Sequence, residues 1–159
     1  MALELNGTTG VSAVQAGAVE SGDLPAGSVI QVVHTNKDGR VTTSSTSPVA
    51  TGYNISITPT STSSRIIFYT TVRIDVDVAN AARVSLFKNG NQVYSEVNAT
   101  LINLASGTLG AMTDIYFVDN NITSTSSITY EVYVTSSGGN IYFGDGATRS
   151  DITAMEIAG

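Results

Sequence analysis

The side chains able to do chemistry are few and scattered. The 159-residue chain has one histidine, His34, and neither cysteine nor tryptophan. A lone imidazole works as a base only beside a nucleophile and an orienting carboxylate, and no GxSxG elbow accompanies this one. His34 therefore reads as a strand residue. HExxH, phosphate-cradling loops and the EF-hand pattern are missing from the sequence as well, so the expectation is a non-enzymatic protein without cofactor or metal. Asp75 and Asp77 alternate with Ile74, Val76 and Val78, which on a strand sends both carboxylates out of one face. Calcium asks for about six to eight oxygens, so pairing with Arg73 or Arg83, or with water, is the simpler expectation for this pair. Asp119-Asn120-Asn121 and Asp145-Gly146 read as turn chemistry. The best candidates for contact with a ligand are Asn140, Tyr142 and Asp145, in and between the Gly- and Asn-rich segments 137–140 and 145–148. Asn and Asp can hydrogen-bond sugar hydroxyls, and Tyr offers a stacking face.

Such residues need strands to hold them. From residue 28 onward the chain is a series of short β-type runs separated by Gly, Asn, Asp and Ser. The runs cover residues 28–35, 40–44, 53–58, 65–78, 83–88, 92–96, 113–119, 127–135, 139–144 and 151–157. Run 65–78 is the strongest: Ile66, Phe68, Val72, Ile74, Val76 and Val78 share one face while Arg73, Asp75 and Asp77 share the other. Its length predicts a bend or bulge midway. Asn89-Gly90-Asn91 between two runs predicts a tight hairpin, because Asn and Gly tolerate positive φ. Residues 99–112 are apolar without a period and predict a loop or a weak strand. Together these features predict an all-β fold, a jelly-roll-like antiparallel β-sandwich over 28–159, behind an extended N-terminal arm over 1–27 that is rich in Ala, Gly, Ser and Val. A marginal helical turn over 11–18 is conceivable within the arm.

Sandwich strands normally keep one face polar, yet several runs here are apolar on both. Ile67 and Tyr69 oppose Ile66 and Phe68, Tyr116 opposes Ile115 and Phe117, Tyr133 opposes Val132 and Val134, and Tyr142 opposes Ile141 and Phe143. Tyrosine suits interfaces because an apolar body carries a polar tip, so Ile67, Tyr69, Tyr116 and Tyr133 are the predicted subunit contacts.

Composition narrows the partners. Only 13% of residues are charged, against about 25% in ordinary soluble domains, and the net charge is -6 with the seven Lys and Arg scattered. Nothing in that pattern attracts nucleic acid or anionic lipid. No segment is apolar for long enough to suggest a membrane span, and MALELNGTTG at the start has no basic or apolar signal region, which predicts synthesis in a cytoplasm without export.

Three segments carry a resemblance: NGTTGVS at 6–12, ITPTSTSSRI at 57–66 and DITAMEIAG at 151–159 are similar to segments of tail-fibre and related virion proteins of tailed bacteriophages, including cyanophages. The resemblance implies a virion location, the tail before the capsid, and a homotrimer, for which a TNF- or C1q-like arrangement is one form. It also implies an N-terminal peptide that attaches to other virion proteins of baseplate, fibre or capsid, and a distal β domain that meets host surface polysaccharide. A capsid decoration protein is the alternative it leaves open. It transfers no binding residue to this chain.

Overall fold

In the computed structural model, residues 21–77, 81–95, 108–144 and 150–159 are described. A 3-10 turn at Ser21–Asp23 precedes the strands β1 (Val29–Lys37), β2 (Val41–Thr43), β3 (Val49–Ile57), β4 (Arg65–Asp77), β5 (Ala82–Lys88), β6 (Asn91–Ser95), β7 (Thr108–Asp119), β8 (Ile128–Ser136), β9 (Ile141–Phe143) and β10 (Ser150–Ile157). The helical turn considered within the arm lies outside the described residues.

Two antiparallel sheets face each other. The first runs β1-β10-β4-β7, with β9 and β2 continuing alongside the far half of β4, and the second runs β3-β8-β5-β6. This interleaving, in which the chain passes repeatedly from one layer to the other, is the strand order of a jelly roll. The expected all-β sandwich is what the chain forms.

Alternation explains the layering. Along β4, Ile66, Phe68, Thr70, Val72, Ile74 and Val76 point between the sheets and are buried. They meet Leu86, Ile128, Tyr130, Val132 and Val134 of the second sheet, and Phe68 approaches Tyr130 with ring centroids 6.0 Å apart. Each such aliphatic or aromatic side chain contributes about 1.5–3 kcal/mol by leaving water. The Asn89-Gly90 hairpin forms as its sequence requires, with φ of 48° and 79° joining β5 to β6.

Two expectations change. β4 carries no bulge: it pairs with β7 in unbroken register from Ile66↔Asp119 to Asp77↔Thr108. On its other side it exchanges neighbours, pairing with β10 up to Thr70 and with β9 from Ile74. There a second short partner takes over the hydrogen bonds that β10 leaves free along β4. β7 also begins earlier than the sequence run at Thr113, since the backbone of β4 pairs with residues 108–112 whatever their side chains. Residues 96–107 lie outside the description.

Two polar knots close the core. Asp119 accepts from Tyr130 Oη and the Lys88 ammonium, each at 2.6 Å, and from the Asn121 amide at 2.9 Å. This joins β5, β7 and β8 at one end, and burial followed by the bond to Asp119 drives the Tyr130 pKa far up, keeping the phenol neutral. Glu156 is fully buried and accepts from Gln31 Nε2 at 2.6 Å and from the amide and hydroxyl of Thr60 at 2.7 and 2.9 Å. Burial alone would raise its pKa. The donors Gln31 and Thr60 outweigh burial and hold the carboxyl below its ordinary range.

Candidate functional site

The exchange of partners along β4 divides the outer face of the first sheet into two halves. Near β1 and β10 the register aligns Val32, Met155, Ile67 and Val118 in one row across four strands. The next row is His34, Thr153, Tyr69 and Tyr116. Val32 is 57% exposed, Tyr116 58% and Met112, two rows on, 65%. Ile67, Tyr116, Val118 and Ile157 line a shallow cavity of about 270 Å³ with Gly27 and Arg65. Among the described residues nothing covers this face. Rows of apolar side chains arise here because Ile67, Tyr69, Tyr116 and Val118 occupy the alternate positions that the buried set leaves over.

Of the predicted contacts, Ile67, Tyr69 and Tyr116 thus stand together on neighbouring strands. Tyr133 does not join them: it lies on β8, in the other sheet, where its ring stacks on Phe87 at 3.9 Å between centroids. The Tyr69 hydroxyl bonds Thr71 Oγ1 at 3.0 Å and donates to Asp114, so its polar tip is satisfied while its ring stays exposed.

The other half is polar. One row reads Thr42, Tyr142, Asp75, Gly110. Arg73 Nε donates to Asp75 Oδ1 at 2.8 Å, and Arg40 Nη2 lies 3.9 Å from Asp75 Oδ2. Asp75 is buried beneath the two guanidiniums, whose side chains remain 46% and 41% exposed. Gly110 lies opposite, and a Cβ there would displace the Asp75 carboxylate and the Arg73 guanidinium from this arrangement. The Arg40 guanidinium lies over the Tyr142 ring at 4.0 Å. Tyr142 Oη donates to Asp77 Oδ2 at 2.7 Å, and Asn140 Nδ2 reaches the same oxygen at 3.4 Å. The bond to Asp77, then burial, raises the Tyr142 pKa.

The structure therefore brings Asn140 and Tyr142 together on Asp77. Asp145 lies outside the described residues. The expectation that Asp75 and Asp77 share a face with Arg73 holds, and the pairing is with Arg73 rather than with Arg83, which is exposed on β5 in the other sheet. Sequence reasoning missed Arg40, because a turn residue 35 positions before Asp75 gives no local signal of meeting it. It also missed the neighbours of His34, whose Nδ1 lies 3.2 Å from Thr153 Oγ1 and whose Nε2 lies 3.5 Å from Asp151 Oδ1. That trio sits exposed on the β1-β10 ladder. The arrangement is a cross-strand polar contact.

No protein-family model matches the chain, and no curated protein is similar to it in sequence.

Proposed function

We propose that the chain is a structural protein of a tailed-phage virion, a short homotrimeric tail fibre that attaches through its N-terminal arm, within residues 1–27, and presents the jelly roll to the host surface. The observation that supports this reading best is the apolar half of the first sheet. An exposed apolar row spanning four strands, with Tyr69 and Tyr116 in the row beside it, is unusual on a monomer and belongs to an association surface. The occupant of that face is a second copy of this chain. Arg65 stands at one end of the apolar rows and Asp114 at the other, so neighbouring copies can meet with opposite charges apposed. The three segments similar to phage fibre proteins supply the virion setting.

The test is antibody-gold labelling of intact phage particles together with deletion of residues 1–24. The fibre reading expects label at the tail, and a truncated protein that still folds with its thermal transition nearly unchanged but no longer joins particles. Label spread over the capsid would replace the fibre by a decoration protein. Particles without label would remove the virion reading altogether.

A further inference from the structure

The polar half holds a group that the rest of the fold does not use. The Arg40 guanidinium donates no hydrogen bond to any described residue: its nearest carboxylate oxygen, Asp75 Oδ2, is 3.9 Å away, beyond hydrogen-bond reach. It is nevertheless held in place, by the Tyr142 ring 4.0 Å beneath it. Tyr142 is itself fixed by its bond to Asp77. A guanidinium fixed as a plane keeps its forked N–H edges available for a planar oxyanion, and little side-chain entropy is lost when one binds. Arg73 stands across Gly144, whose amide donates to Arg73 O at 2.8 Å, and both guanidiniums approach the one Asp75 carboxylate. Asp75 takes up one unit of their charge from below and leaves that edge positive. The next row offers the opposite chemistry: Asn140 and the Asp77 carboxylate provide amide and acceptor groups at 3.4 Å from each other. The alternative occupant, a divalent cation on Asp75 and Asp77, meets two guanidiniums and an already bonded carboxylate. An anion with hydroxyls fits the charge order better.

We propose that this surface binds an acidic saccharide, with Arg40 taking the sugar carboxylate and Asn140 with Asp77 taking ring hydroxyls. The inference rests on the reading that the β domain meets a host surface, and it names the class of ligand. Tyr142 acts as the positioning residue for Arg40, since its ring is covered by the guanidinium and is not open for a sugar to stack on that side.

Titration of the full-length protein with an oligogalacturonate, followed by isotope-edited NMR, tests this directly, with a neutral oligogalactoside and inorganic phosphate as comparison ligands. The expected result is saturable binding of the oligogalacturonate that shifts resonances of residues 40, 73, 140 and 142. Affinity for the neutral sugar and for phosphate should be at least about tenfold weaker. Arg40→Gln, at an exposed turn position, should fold normally and lose binding at least about tenfold, whereas Arg83→Gln on the other sheet should bind unchanged. Equal binding of phosphate would make the site a bare anion site, and equal binding of the neutral sugar would remove the role of Arg40. Either result, or no binding at all, overturns the proposal. If Arg40→Gln particles adsorb to host cells as the wild type does while the label stays on the tail, the ligand site fails and the fibre reading stands.

Discussion

Along β4, one face of one sheet meets solvent in two ways. The half shared with β1, β10 and β7 leaves Val32, Tyr69 and Tyr116 exposed with no neighbour over them among the described residues. The half shared with β2, β9 and β7 sets Arg73 and Arg40 on Asp75, and Tyr142 on Asp77. The same strand serves both, so the contrast comes from what its partners bring. A polar cluster on a sheet can satisfy itself across two or three strands, because each group finds its complement about 5 Å away. An apolar row cannot, since adding more apolar neighbours only enlarges the surface that water must cover. The first kind of surface pairs its charges largely within one chain, whereas the second has nothing within the described residues to cover it.

The largest effect should come from breaking the apolar half. Ile67→Asp puts a charge in the centre of the row Val32, Met155, Ile67, Val118, and it should weaken self-association by at least about 30-fold, the scale of a buried hot spot. Its thermal transition as an isolated chain should move little, because the side chain points away from the core. Sedimentation equilibrium with a parallel melting curve reads both. Asp75→Asn tests the polar half in the opposite sense. Removing the carboxylate beneath two guanidiniums should cost about 1–3 kcal/mol of stability in denaturant unfolding and leave association unchanged. If Asp75→Asn dissociates the oligomer, the polar half is part of the interface and the comparison fails.

Glu156 gives a pH test that sits in neither half. Its carboxyl is held below its unfolded pKa, so the stability it supplies is fully present above that unfolded value and is lost as pH falls through the folded one. Glu156→Gln should be less stable than the wild type by about 1–2 kcal/mol at neutral pH, with the gap closing in acid below the ordinary carboxylate range. Urea unfolding at a series of pH values measures it, and a gap that persists unchanged in acid would show that the donors do not favour the ionised form. The smallest effect belongs to Tyr142→Phe, which removes the bond to Asp77 and the hydroxyl's contact with Asn140. It should lower the melting temperature less than Glu156→Gln and leave the oligomer intact.

Much of this was readable in advance. Alternation in residues 65–77 gave both the buried face and the placing of Asp75 beside Arg73, since a period of two needs no knowledge of partners. The Asn89-Gly90 turn was equally plain, being fixed by local φ preferences. What stayed hidden depends on register between distant strands. Tyr142 meets Asp77 across 65 positions, and Arg40 reaches Asp75 from a turn, through pairings of β9 with both β2 and β4 that short runs such as IYF do not announce. Tyr133 falls with Tyr116 in the sequence pattern for the same reason: a sequence shows which face of a strand is apolar without showing to which sheet the strand belongs.

The central claim is that the apolar half of the first sheet is where copies of the chain meet. Multi-angle light scattering of the wild type beside the Ile67→Asp/Tyr116→Asp double variant, at micromolar concentration and at physiological ionic strength, tests it most directly. The account predicts three times the 16.5 kDa chain mass for the wild type and a single chain mass for the variant, both with the same β-type circular dichroism. A monomeric wild type, or a variant that remains trimeric, would contradict it.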